Sequence, residues 1–419
     1  HFEKMLYDNA QMLSVYAKAY KSKNNALYKN QLDNIFSFIN NSLNDENGLL
    51  YSSISAVTEV GDEKIEGDYY VWKKNNLKEI LGENYELFQD YYNVNKVGFW
   101  EKDKYVLKRE HDDNFFIEKY NISKNQLESK IKESIKILKK SRENRLKPIV
   151  DDKFVTSWNA LSVIGLSDAY QSTGDNKFLD KALEIISAVE KNLVKKNLIV
   201  DRSLSGSNES ILFLEDYSFL ISAYLSLYQS TFNYDFIDRA DELAKKTLSL
   251  FSHEESPFLR FSTDQSLFFS NDLFVNQDGV MPSPNSVMCE NLFLLSHHTG
   301  NRKYYQTGKL MIDAMANDII DNTLDHMNWL NVSLDYNDKF FEVVVSGKKS
   351  YKMANEISSK YFPNILIAAS KKDSDKYLLK NRYNKGETLI YVCVNNTCKF
   401  PVNNVNEALK LITKKDEKI

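Results

Sequence analysis

The sequence predicts a mainly α protein, a closed α/α toroid carrying a small α/β appendage, and three observations point there. The 419 residues hold only 13 Gly and 6 Pro, below the usual ~7% and ~5%, so turn makers are scarce and long helices favoured. Four segments resemble one another as helical hairpins: DNAQMLSVYAKAYKSKNNALY, WNALSVIGLSDAYQSTGDNKF, DYSFLISAYLSLYQSTFNYDF and PNSVMCENLFLLSHHTGNRKY. In each, a ring follows a polar or aromatic anchor by 19 residues: Asn9 to Tyr28, Asn159 to Phe178, Tyr217 to Phe236, Asn285 to Tyr304. The third observation is an asymmetry within each hairpin. The first helix is apolar nearly all round, while the second, as in FLDKALEIISAVEKNL, has a charged face, which describes an inner and an outer ring.

The elements follow in chain order. HFEKMLYDNA opens the first inner helix. Between Leu49 and Arg109 lies an insertion with β signals in LLYSSIS, GDYYVW and KYVLKRE around a short helix, NNLKEIL. The anchors stand 58 to 150 residues apart, too irregular for an open solenoid, and a closed ring tolerates such connections better. Pro257 to Phe274 alternates apolar and polar residues and predicts a hairpin at the rim. The body contains about ten helices by this count and extends to residue 335. From 336 to 419 the pattern changes: FFEVVVSG, NILIAAS and LIYVCV read as buried strands, with helices near Tyr351 to Tyr361 and Val405 to Thr413, making the α/β appendage.

Charge and cysteine usage narrow the function. A net charge of −4 with interspersed signs implies neither nucleic acid nor an anionic membrane as partner. No apolar run approaches the ~20 residues of a membrane span. Cys289, Cys393 and Cys398 make no disulfide framework, which suggests a reducing, cytoplasmic setting. Cys393 and Cys398 stand five apart, outside the two-residue spacing of a redox motif. No His/Cys cluster has metal-ligand spacing and no phosphate loop is present, so no cofactor is expected; His297 and His298 read as a helix C-terminal cap.

The remaining chemistry lies at the starts of inner helices, which a toroid gathers at one mouth. Glu3 and Asp8, Asp151 and Asp152 before Trp158, Glu215 and Asp216 before Tyr217, and Asn285 after the PSP turn all fall there. Helix N-termini favour carboxylates by ~0.3–1 kcal/mol without any catalytic role. Asp8, however, shares a helical row with Met5, Met12, Val15 and Ala19, and a carboxylate on an apolar face needs a partner; Lys4 is the local candidate. Asp216 repeats the situation with Leu220, Ala223 and Leu227. Paired carboxyls, one protonated and one ionised, are what acid and base work on a sugar requires. Asp8, Asp152, Glu215 and Asp216 are therefore the expected catalytic acids. Trp72, Trp158 and Tyr217 would stack on sugar faces, with Glu3, Asn159 and Asn285 contacting hydroxyls of a small-molecule substrate.

HFEKMLYDNA, EGDYYVW, GFWE, DDKFVTSWNALSV preceded by RENRLKP, FLEDYSFL, DGVMPSPNSV and YVCVNNTCKFPV together resemble, in order, the spermatogenesis-associated protein 20-like family. That resemblance implies a thioredoxin-like domain, then an (α/α)6 toroid of the six-hairpin glycosidase type, similar to the barrels of N-acylglucosamine epimerases, then the α/β tail. It further implies that this chain lacks the thioredoxin-like domain and the first hairpin. The chain departs from the family where an acidic DADSE run is replaced by Ser55–Glu59, SAVTE, where TPSGNS reads MPSPNS, and where WNG reads Trp158, Asn159, Ala160. The expectation is a carbohydrate-binding or carbohydrate-processing toroid of unassigned reaction. The alternatives are a non-catalytic peptide- or protein-binding scaffold working with a thioredoxin-like domain, and a purely structural ring with buried salt bridges.

Overall fold

A computed structural model describes residues 2–204, 211–263, 273–394 and 397–413. The chain divides into two compact units, His1–Lys4 with Ser53–Asp151, and Met5–Ser52 with Asp152–Ile419.

In the second unit, α1 (Leu6–Ser22) and α2 (Ala26–Phe38) form the first hairpin. The helix expected across HFEKMLYDNA thus begins only at Leu6.

The first unit is larger than the insertion read from the sequence. Besides the short strands Val57–Val60 and Glu63–Glu66 it holds four helices, α3 (Lys74–Leu81), α4 (Tyr85–Tyr91), α5 (Asp113–Tyr120) and α6 (Lys124–Glu143). Their apolar faces enclose a core of Leu77, Leu81, Phe88, Tyr91, Phe116 and Leu127 around Trp72. Helix α6 starts from a reciprocal capping box, Ser123 accepting from the Gln126 backbone and Gln126 accepting from the Ser123 backbone. At the N-terminus, Lys4 donates to the Phe2 carbonyl at 2.7 Å and lies 4.2 Å from the Tyr70 ring centre, so its ammonium is already engaged.

The second unit continues with three more hairpins, α7 (Thr156–Thr173) and α8 (Asn176–Asn192), α9 (Leu214–Thr231) and α10 (Asp235–Phe251), α11 (Pro284–Thr299) and α12 (Arg302–Asp321), followed by α13 (Met327–Asn337). Helices α1, α7, α9 and α11 lie side by side as an inner layer, each backed by the outer helix of its hairpin. This is the inner and outer arrangement of an α/α toroid. Among the described residues it comprises nine helices, against the ten counted from sequence. Inner helices α7 and α9 are buried on nearly every side because both of their flanks meet another inner helix. Small residues make that possible. A Cβ added to Gly165 of α7 would stand 2.3 Å from the Ala10 carbonyl oxygen of α1, so the two helices approach at glycine distance.

The hairpin expected over Pro257 to Phe274 falls partly outside the described residues. The Ser262 and Phe213 backbones form one bridge there, and the Phe261 amide donates to Leu273 at 2.8 Å.

Four strands build the appendage: β1 (Phe341–Ser346), β2 (Ile365–Ser370), β3 (Leu389–Val394) and β4 (Thr397–Cys398). They lie in the order β2, β1, β3, β4. β1 and β2 are parallel, joined through α14 (Ser350–Ser358), and β3 runs antiparallel to both β1 and β4. Helix α15 (Val405–Thr413) packs on β3. The appendage belongs to the same compact unit as the helical layers. One link is the Gln229 side chain of α9, which donates to the Ile367 carbonyl at 3.1 Å and accepts the Ile367 N–H at 3.3 Å. The two histidines read as a cap do other work. Gly300 closes α11, its N–H bonded to Ser296, while His297 contacts Glu342 of β1 at 2.7 Å and His298 is buried against Tyr228.

Candidate functional site

Side chains from α1, α7, α9, α11 and α13 line one cavity of about 470 Å³, and residues 358–367 beside α14 and β2 line its far end. Each inner helix contributes polar side chains to it: Gln11, Ser14, Lys18 and Lys21 from α1, Asp168 and Gln171 from α7, Ser222 and Gln229 from α9, Glu290 and Asn291 from α11, with Asp335 from α13. Leu161, Phe219, Val287 and Leu294 supply apolar wall between them. Such a mixture of apolar surface and a few convergent polar groups is the usual make-up of a small-molecule site.

The charges in the cavity act on one another. Asp168 raises the Lys18 ammonium above its usual range against the opposing effect of burial, and Glu290 adds to that. Burial pushes Lys21 down, with Asp168 opposing and Lys18 reinforcing; its ammonium donates to Gln171 at 3.2 Å. Burial raises the Glu290 carboxyl, opposed by Lys18. Asp335 is pushed up to about 7, by burial first and then by Glu290. Among the described residues neither Glu290 nor Asp335 has an ion-pair partner within 4.0 Å. The cavity therefore holds carboxyls biased toward the neutral acid beside Lys18, whose charged form Asp168 favours.

The acids expected from sequence lie elsewhere. Glu215 and Asp216 do come together with Ser157 and Arg202 where α7 and α9 begin. The Ser157 backbone N–H donates to Asp216 at 3.0 Å and its hydroxyl donates to Glu215 at 2.7 Å. Arg202 stands 3.5 Å from each carboxyl. Asp216 is fully buried, and burial pushes its carboxyl up to about 7, with Arg202 opposing. Helix α7 has no side-chain cap of its own, since Val155 holds the N-cap position. Asp216 supplies that cap from the neighbouring helix, which is a structural reason for a carboxylate there.

Asp8 stands outside the cavity lining, on an open helix face. Its row is not buried: Asp8 is exposed, and Met12 and Val15 are 47% and 56% exposed, so no apolar burial demands a partner. Asp152 is likewise exposed. Trp158 stacks edge-on with Tyr7, ring centres 4.9 Å apart, and its buried indole N–H has no hydrogen-bond partner among the described residues.

The anchors of the hairpin repeat are backbone clamps rather than hydroxyl-binding groups. Asn159 accepts the Leu50 N–H at 2.8 Å and donates to the Leu50 carbonyl at 3.0 Å and the Val155 carbonyl at 3.0 Å. Tyr217 accepts the Val200 N–H at 3.0 Å and donates to Leu198 at 3.1 Å. Asn285 accepts the Leu259 N–H at 2.9 Å and donates to Leu259 at 3.0 Å. All three side chains are fully buried. Each fixes the start of an inner helix to the extended chain that leaves the preceding outer helix, and none has a polar atom left for a ligand.

Trp72 and Glu3 belong to the first unit. Glu3 is exposed, and Trp72 is 3% exposed with the Arg145 guanidinium 3.9 Å from its ring centre. Arg145 is held in turn by the carbonyls of Asp68, Tyr69 and Val71. A tryptophan covered in this way offers no face to a sugar.

Sequence reasoning missed Lys18, Asp168, Glu290 and Asp335. For Asp168 and Glu290 the signal was present: GLSDAY and MCENLF each carry the one acidic residue of an otherwise largely apolar inner helix, and charged residues rarely enter such helices without a task.

No family model matches the chain. It is similar over nearly its whole length to spermatogenesis-associated protein 20, 22% identical in Homo sapiens and in Mus musculus, with 98% of this chain aligned to 58% of each relative. An uncharacterised protein of Caenorhabditis elegans is 29% identical across 70% of this chain and 44% of its own length. The chain thus spans about half the length of these relatives. Among solved structures it is similar to a sugar epimerase from a ruminal bacterium (TM-score 0.39, 13% identity, 79% of this chain and 59% of that one). Cellobiose 2-epimerase from Bacillus thermoamylovorans gives 0.43 and 12%, over 75% and 61%. A GH76 α-mannanase from Bacteroides thetaiotaomicron gives 0.34 and 14%, over 75% of each chain.

Proposed function

We propose that the central cavity binds and processes a carbohydrate, with Glu290 as the proton donor, Asp168 as its basic counterpart and Lys18 setting the charge between them. The observation that carries this reading is the placement of these groups in one cavity. Glu290 and Asp335 are driven toward their neutral acids by burial, while Asp168 is the principal electrostatic partner of Lys18. Acid–base work at a sugar carbon needs carboxyls held in different protonation states. The surrounding Ser222, Asn291 and Gln171 suit a polyol, since a hydroxyl or amide keeps a lone pair or an N–H beyond the bonds these side chains already make. Trp158 and the Glu215–Asp216 pair are placed at the rim in this reading, Trp158 as a contact and the acids as the support of the rim. A thioredoxin-like domain in the full-length protein belongs to the same reading, and rests on family resemblance.

The test uses the protein against a panel of reducing sugars and oligosaccharides, following epimerisation, isomerisation and hydrolysis. Glu290→Gln and Asp168→Asn are each expected to lower turnover by roughly 100-fold or more while thermal unfolding stays within a few degrees. Turnover that survives both substitutions, or a panel with neither binding nor turnover, would overturn the proposal.

A further inference from the structure

The cysteines give the structure a second chemical site. Cys393 and Cys398 face one another across the antiparallel β3 and β4 pair and are joined as a disulfide, a pairing their five-residue spacing alone did not assign. The two sulfurs have opposite surroundings. Cys393 is completely buried in the sheet, while Cys398 is exposed at its edge. Arg382 donates through Nη2 to the Cys398 sulfur at 3.5 Å, and its Nη1 is buried with no hydrogen-bond partner among the described residues. The Arg382 carbonyl accepts from the Tyr391 hydroxyl at 3.1 Å, which ties the arginine to β3, the strand of Cys393. A disulfide bridging only five positions across an existing ladder removes little freedom from the unfolded chain compared with one closing a long loop. Stability alone is a weak reason for it.

We propose that Cys393–Cys398 is a thiol–disulfide exchange site that accepts two electrons from a dithiol, entering through Cys398. Exposure dictates the order of events. An external thiolate reaches only the Cys398 sulfur; its attack forms a mixed disulfide there, and the breaking S–S bond leaves its electron pair on Cys393, which takes a proton. The second thiol of the donor, deprotonated, then attacks the donor sulfur of the mixed disulfide and expels Cys398 as a thiolate beside the Arg382 cation. The donor ends as a disulfide and the protein as the Cys393 thiol and the Cys398 thiolate, two electrons having moved, one donor proton passing to Cys393 and the other to solvent. In the reverse direction the Cys398 thiolate is the nucleophile, since a cation at hydrogen-bond range favours the ionised sulfur. Cys289 is an internal control: it is a free, fully buried thiol whose ionisation burial opposes.

The whole chain is incubated natively with dithiothreitol, or with glutathione buffers of graded ratio, then alkylated with iodoacetamide and weighed intact. One native alkylation, at Cys398, absent when oxidised glutathione is restored before the iodoacetamide, and two more seen only after denaturation, are expected. Cys393→Ser is expected to take up one glutathione at Cys398, whereas Cys398→Ser leaves Cys393 unmodified. Arg382→Gln should slow alkylation of reduced Cys398 at neutral pH by roughly tenfold, the change in thiolate fraction for one unit of thiol pKa. A bond that dithiothreitol opens only in denaturant, or equal reactivity of the two single-cysteine variants, would overturn the proposal.

Discussion

Replacing Asn159 by alanine separates a clamp from a sugar contact. The amide makes two bonds to Leu50, at 2.8 and 3.0 Å, and one to the Val155 carbonyl at 3.0 Å. The Val155 carbonyl keeps a bond from the Asn159 backbone N–H, also 3.0 Å, after the side chain is gone. Leu50 has no such reserve. It is fully buried, so its N–H and carbonyl would be left without water or protein partners. Each orphaned group costs about 1–3 kcal/mol, which puts Asn159→Ala at about 2–6 kcal/mol of destabilisation. Asn159→Asp keeps the acceptor, loses the donor and buries a charge, so it should cost more at pH 7 than at pH 4. Urea denaturation followed by circular dichroism gives the loss, and hydrogen exchange at the Leu50 amide localises it. An alanine variant with unchanged stability and unchanged Leu50 protection, but with ligand binding abolished, would refute the clamp and restore the sugar-contacting role.

Two further predictions concern the same helices. Asp216 titrates near 7 when folded against 3.8 for the ordinary group; the folded state therefore holds a proton the unfolded state releases, and stability falls as pH rises from about 4 to 7. At about 1.4 kcal/mol per unit the whole window is worth at most about 4 kcal/mol. Asp216→Asn should flatten that slope and gain on wild type toward pH 8, whereas parallel urea midpoints at pH 4.5, 6 and 8 would count against the buried acid. Gly165→Ala should lower stability by about 1–3 kcal/mol through overpacking, because the added methyl meets the Ala10 carbonyl; an unchanged melting temperature would mean α1 and α7 are not that close.

The order and layering of the four hairpins were legible because they rest on periodicity, which survives in any single hairpin. The strands FEVVVS and LIYVCV were legible because parallel and central strands bury both faces. The site was legible less well, for a reason visible in the anchors. Asn159, Tyr217 and Asn285 recur at one position of the hairpin, and a feature repeated in several hairpins belongs to what the hairpins share, their joints. A reaction centre breaks the repeat instead. Lys18 and Asp168 both follow their anchors by nine residues but carry opposite charges, Glu290 follows Asn285 by five, and only the packing of the inner layer brings them to one cavity. Asp8 misled because periodicity defines a face but not whether a neighbour covers it. Trp72 misled because its covering cation, Arg145, lies seventy-three residues later in the sequence.

The Gln229 amide has a consequence for how this protein meets other chains. β2 is an outer strand of its sheet, and an outer strand presents a row of free donors and acceptors to any extended peptide. At Ile367, the middle of that row, both groups are occupied by a side chain from α9. A single glutamine thus imitates one residue of a further strand and interrupts the row, so that an incoming strand cannot add there without first displacing a helix. Fibre-like growth from this edge is opposed by a side chain that sequence alone would assign to a helix interior.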